Sequence, residues 1–129
     1  MFDALDIGAS GLTVQRTRLD IMASNIANVS TTHDVHGQPN PYRRRIAVIA
    51  AGQAGDPSKP GVHVKEVKQD MSPFIPKWDE DKRQFVMYPN VDPTVEFVNS
   101  IEASRAYEAN VTMMEVSKAM INASLRLLA

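Results

Sequence analysis

Apolar residues recur every seven positions at both ends of this chain, and that spacing constrains the fold more than any other feature. Leu5, Leu12, Leu19 and Ile26 form one series, extended by Met22 and Val29. Ile7, Val14 and Ile21 form a second. At about 100° per residue the two series lie on nearly opposite sides of a helix. No proline precedes Pro39, so the spacing predicts a helix over about 3–28. A helix on the surface of a monomer needs one apolar stripe; two opposed stripes predict a neighbour on each side.

The same period returns from Pro93 to about Leu128. Ala106, Met113, Met120 and Leu127 form one heptad series, and Tyr107, Met114, Ile121 and Leu128 the adjacent one. Val95, Val98 and Val116 widen this face, while Arg105, Glu108, Glu115, Asn122 and Arg126 lie on the polar side. Asp92 suits the N-cap, Pro93 the first helical position and Glu96 the first turn. Such a helix would be a rod of ~50 Å, against a mean globular helix of about 11–12 residues.

Residues 30–90 differ in character. They hold seven of the eight prolines. Arg45–Ile49, Val62–Val67 and Phe85–Tyr88 are β-like runs. Residues 51–61 and 72–84 are predicted as loops. The expected fold is therefore mainly α with a small β-rich insert, its long N- and C-terminal helices paired as an antiparallel coiled coil. Residues 1–30 with 91–129 would form a helical assembly domain, and 31–90 the β/loop insert. Surplus apolar helix surface would pack on other molecules.

The chemistry-bearing residues point away from catalysis. The chain has no cysteine, which removes thiolate and cysteine–metal chemistry. His33, Asp34 and His36 are loosely spaced with no second ligand cluster, and are expected to be loop residues, not a metal site. Asp79, Glu80 and Asp81 run into Lys82 and Arg83 and read as a solvated turn. There is no glycine-rich phosphate loop and no Ser-His-Asp set. No enzymatic activity, cofactor or metal is expected. Tyr42-Arg43-Arg44-Arg45 is the one basic cluster. Nucleic-acid binding through Arg43–Arg45 is an alternative, but the net charge of −1 offers no broad positive face, and protein contacts by Tyr42, Arg43 and Arg44 are preferred. The opening MFDALDIGAS lacks a basic n-region and an apolar h-region, so no cleaved signal peptide is expected. No direct membrane insertion is expected either.

Two asparagines sit where the first helix ends. Asn28 is expected near the C-terminal cap, where asparagine tolerates the left-handed conformation. Asn25 lies a turn earlier. It is either a register-fixing hydrogen-bonding group across a helix–helix contact or a partly exposed helical residue.

Three segments carry a family resemblance. ASGLTVQRTRLDIMASNIANVSTT, residues 9–32, resembles the signature helix shared by bacterial flagellar rod and hook proteins. YPNVDPTVEFVNSIEASRAYEANVTMMEVSKAMINASL, residues 88–125, resembles their closing helix, with ASRAYEAN its most specific stretch. GQPNPYRRRIAVI, residues 37–49, is similar to a motif of the proximal rod members, and the chain length agrees with them. KWDEDKRQF, residues 77–85, departs from the family pattern, which more often has a Tyr-Asp-Pro-like turn there.

The resemblance implies a structural subunit of the flagellar basal-body rod, proximal or otherwise another rod or adapter subunit of the same machine. It implies export through the flagellar type III apparatus without a cleaved signal, and helical assembly in the periplasm. The implied partners are copies of the chain and neighbouring rod proteins, with no nucleic acid. Residues expected at assembly contacts are Leu12, Leu19, Ile21, Asn25, Ile26 and Asn28 in the first helix, and Ile101, Tyr107, Asn110, Val111, Met114 and Ile121 in the second. Before assembly the ends are expected to be mobile.

Overall fold

In a computed structural model, residues 2–129 are described. Met1, at the edge of the expected 1–30 segment, lies outside them. Helix α1 spans Phe2–Ala27 and helix α2 spans Pro93–Leu128. Between them lie strands β1 (Arg45–Ala51), β2 (Val62–Gln69), β3 (Ile75–Asp79) and β4 (Gln84–Tyr88). They make two separate antiparallel pairs, β1–β2 and β3–β4. Two long helices thus enclose a small insert of antiparallel strands.

The helices run antiparallel and close together. Their contacts ascend on α1 as they descend on α2. A Cβ on Gly8 would lie 2.7 Å from Met114 Cγ, and one on Gly11 2.7 Å from Asn110 Nδ2. Further along, the Ser100 hydroxyl lies 3.7 Å from Met22 Sδ, and Asn25 Nδ2 lies 3.3 Å from a Glu96 carboxylate oxygen. A mid-helix glycine costs about 0.5–1 kcal/mol relative to alanine. Here its missing side chain allows the neighbouring helix to approach. Val14, Met22 and Ala103 are buried, while Ile7 is exposed at the outer end of its stripe.

The second stripe of α1 meets a neighbour from the same chain. β1 and β2 both pack on α1, and the Val62 N–H donates to the Ser10 hydroxyl at 3.2 Å. Val14 shares this groove with Val62 and Val64, and Ile21 shares a second cavity of about 150 Å³ with Ile46 and Ala47. The insert therefore covers the Val14–Ile21 side, so the neighbour expected there comes from the same chain.

Two further local expectations change. Residues 75–79 form a strand and not a loop. Pro76 does not prevent it, because a two-stranded pair has only edges and an edge position tolerates a missing N–H. Cross-strand partners hold the pair: Trp78 packs edge-on to Phe85 with ring centroids 5.2 Å apart, and Lys77 Nζ lies 4.6 Å from the Tyr88 ring centre. Asp79 closes the turn by accepting from the Asp81 and Lys82 N–H groups at 3.0 and 3.3 Å. Asn28 is not left-handed, since Arg83 is the one non-glycine residue of positive φ among those described. Its side chain instead donates to the Ser24 carbonyl at 2.8 Å and accepts from the Thr31 hydroxyl at 3.1 Å. Satisfying these groups around the helix end makes the special backbone conformation unnecessary.

The close helix approach generates a prediction. Gly8→Val would drive a branched side chain into Met114 Cγ and lower stability by about 1–3 kcal/mol, the usual range for overpacking. Ala9→Val, on the exposed side of the same turn, changes it by less than about 1 kcal/mol. Thermal unfolding followed by circular dichroism separates the two; equal effects would contradict the close contact.

Candidate functional site

The most densely bonded place in the molecule is a polar knot where α1 ends, β1 begins and α2 begins. Each contributor is placed by local sequence. Asp92 caps α2, its side chain accepting from the Thr94 N–H at 3.0 Å, and Pro93 fits the first turn without needing an N–H. One turn on, Glu96 is carried inward and is 0% exposed. From α1, Asn25 points to the same spot and is 1% exposed. The extended segment Tyr42–Arg44 runs between them into β1.

The groups satisfy one another. Arg44 Nε donates to one Glu96 oxygen, and its guanidinium also reaches Asp70 at 3.3 Å. Asn25 Nδ2 donates to the second Glu96 oxygen and to the Arg45 carbonyl at 2.9 Å. The Asn25 carbonyl accepts from the Tyr42 hydroxyl at 2.9 Å and the Arg45 N–H at 3.0 Å. Asn90 accepts from the Arg44 N–H at 2.9 Å and donates to the Asp70 carbonyl at 3.0 Å. No buried side-chain nitrogen or oxygen lacks a partner among the described residues.

Electrostatics follow from this geometry. Burial alone would lower the Arg44 pKa, but the hydrogen bonds and charges of Glu96 and Asp70 outweigh it and raise the pKa above its ordinary value. Asp70 is held below the usual carboxylate range, first by the hydroxyl and N–H of Ser72 and also by Arg44. A lowered carboxylate stabilises the fold above its unfolded pKa of about 3.9, and that contribution is lost as pH falls through the lower folded value.

The residues singled out from sequence distribute unevenly around this knot. Asn25 is inside the subunit, bonded to α2 and to β1 rather than partly exposed. Tyr42 and Arg44 reach α1 and α2. Arg43 donates to the Asp70 and Ser72 carbonyls at 3.0 and 3.1 Å and lies 4.2 Å from the Phe74 ring centre. Asn110 and Met114 face the two α1 glycines. Leu12, Leu19, Ile21, Ile26, Tyr107, Val111 and Ile121 are half-buried, and Ile101 is exposed. Met113 and Met120, of the Ala106 series adjacent to that of Tyr107, are exposed. Asp34 caps its own loop, accepting from the His36 and Gln38 N–H groups at 2.9 and 3.0 Å.

Two features lay outside the expected set. Glu96 was expected only as a helix-start residue, and its burial needs the whole fold. Gly8 and Gly11 did carry a signal: glycines three apart inside a helix with no other breaker.

The knot, in which every buried side-chain nitrogen and oxygen has a partner among the described residues, holds three segments in place. Joined to two long helices, it defines a structural subunit. Residues 5–32 match the family described as "Flagella basal body rod protein", and residues 82–127 match "Flagellar basal body rod FlgEFG protein C-terminal". The flagellar basal-body rod protein FlgC of Borreliella burgdorferi is 36% identical, with 99% of this chain aligned to 97% of that protein. FlgC of Bacillus subtilis is 34% identical over 98% of this chain and 97% of its own, and FlgC of Aquifex aeolicus 36% over 92% and 90%. The chain belongs to the FlgC family of flagellar basal-body rod proteins, and it is a structural component of the rod, not an enzyme.

The knot makes two predictions. Arg44→Ala leaves Glu96 buried without its counter-charge and should cost about 3–5 kcal/mol, read as a lowered urea midpoint at neutral pH; an unchanged midpoint would refute the pairing. Asp70→Asn should flatten the loss of stability on acidification below about pH 4; the titration of unfolding midpoint against pH checks this.

Proposed function

We propose that the chain is a subunit of the proximal rod that assembles helically through its terminal helices and transmits torque through many small contacts. The supporting observation is unspent surface. A compact monomer of 14.3 kDa would expose roughly 6,800 Å², whereas this chain exposes 8999 Å². The excess of roughly 2,000 Å² is more than twice the roughly 800 Å² that one partner buries in a standard interface, which suits contacts on more than one side. Much of it is apolar and lies along α2, at Val95, Val98, Ile101, Val116, Met120 and Leu127. Heterologous contacts that do not close generate a helical filament.

In this reading residues 1–30 and 91–129 act as one assembly unit, paired as an antiparallel coiled coil, with residues 31–90 as an insert steadied by the polar knot. Leu12, Leu19, Ile26, Ile101, Val111 and Ile121 border the surfaces offered to other subunits. Asn25, Asn110 and Met114 support assembly by keeping the two helices in register, while Tyr107 is half-buried on α2, Ile21 packs towards the insert and Asn28 closes the end of α1. Tyr42, Arg43 and Arg44 tie the insert to that pair. The partners are copies of the chain and neighbouring rod proteins. The subunit passes through the flagellar type III apparatus without a cleaved signal and works in the periplasm. Family membership supports this route. No helix among the described residues is long and apolar enough to cross a membrane.

Val116→Asp puts a charge on the exposed stripe without touching the subunit's interior. We expect the variant to fold and be exported, but rods to be missing and motility lost. Normal swimming by cells in which it replaces the native chain would reject assembly through this face.

A further inference from the structure

The fold divides the basic run at residues 43–45. Successive side chains of an extended segment point to opposite sides. Arg44 turns inward to Glu96 and Asp70, while Arg43 and Arg45 line one surface cavity of about 330 Å³. An aromatic ring lies against each guanidinium. Arg43 Cζ is 4.2 Å from the Phe74 ring centre, and Arg45 Cζ is 5.7 Å from that of Tyr42. Tyr42 is itself held, since its hydroxyl donates to the Asn25 carbonyl. Asn40 and Gln69 also line the cavity, and no Asp or Glu does.

We propose that this cavity is a binding site for a phosphate-type oxyanion. Two like charges in one cavity repel each other, and an anion between them removes that cost. The protein supplies none. The three ion pairs among the described residues join Arg44 to Asp70, Arg44 to Glu96, and Lys59 to Asp56, so Arg43 and Arg45 have no carboxylate partner there. Donors remain unspent. Arg43 uses Nη1 on the Asp70 and Ser72 carbonyls, which leaves Nε and Nη2. Arg45 bonds Asn25 through its backbone N–H and carbonyl only. Guanidinium forks match phosphate oxygens bidentately, and a ring stacked on the fork limits its motion. The charge also matches: a phosphate ester carries about −1.5 to −2 at neutral pH, whereas a lone carboxylate would neutralise one arginine of the two. The chain's net charge of −1 offers no wider positive face for a polymer, so the ligand is a single group, either the free ion or an ester.

Nuclear magnetic resonance of the full chain tests this, with inorganic phosphate and glycerol 3-phosphate as probes and acetate as the singly charged comparison. The Arg43 and Arg45 Nε–Hε signals should shift and saturate, with phosphate tighter than acetate. The Arg45 side chain makes no hydrogen bond or ion pair among the described residues, so Arg45→Gln should melt as the native chain does. Its phosphate affinity should fall at least about tenfold, the effect of one lost charge-assisted contact. Arg105→Gln, on the exposed side of α2, should bind as the native chain does. Tighter binding of the ester than of the ion, or the reverse, assigns the source, and either result supports the site. Shifts that do not saturate, acetate binding as tightly as phosphate, or equal losses in Arg45→Gln and Arg105→Gln would each overturn it. The site does not depend on the rod reading, which stands whatever the titration shows.

Discussion

The buried Glu96 carboxylate constrains everything around it. A charge removed from water needs a counter-charge and hydrogen bonds for both oxygens. Arg44 and Asn25 supply them from two other parts of the chain. Because these partners come from the lead-in to β1 and from the end of α1, satisfying one carboxylate fixes three segments at once. A well-packed apolar group in the same place would do as much for stability or more. The polar knot adds direction: Glu96 has both oxygens satisfied in one register of α1 against α2, and a one-residue slip would take Asn25 away from it.

From that knot the two helices run away together, held close by Gly8 and Gly11 at the far end. The knot and the glycines do different work. One fixes register with directional bonds, and the other lets backbones approach so that dispersion contacts accumulate. Between them lies a thin core, with Val14, Met22, Val91 and Ala103 its buried apolar side chains. A subunit with so small a core and so much exposed apolar helix is suited to a structure completed by neighbours. Stiffness under load would then arise from helices packed on several sides rather than from any single site.

The insert shows the same division. β1–β2 is absorbed into the subunit, roofing the Val14–Ile21 side of α1. β3–β4 touches no other helix or strand and borders the Thr32–Pro41 loop through Phe85 and Met87.

What the sequence by itself determined is local and periodic. Both helices, the Asp92 cap with Pro93, all three expected strand positions to within two residues, and the family were legible, because each depends on near neighbours along the chain. The β3 strand was hidden by Pro76, whose usual strand-breaking effect does not operate at an edge. Asn28 suggested a left-handed cap, but its side chain found Ser24 and Thr31 instead. Asn25 was readable as polar in an apolar stripe, yet its burial was not. The tertiary structure alone decided which stripe the insert covers, which methionines face inward, and that Glu96 is buried beside Arg44. The physical reason is distance along the chain: Glu96 lies 52 residues from Arg44 and 71 from Asn25. A carboxylate's need for partners can be read from its chemistry, but which partners it receives follows only from the folded chain.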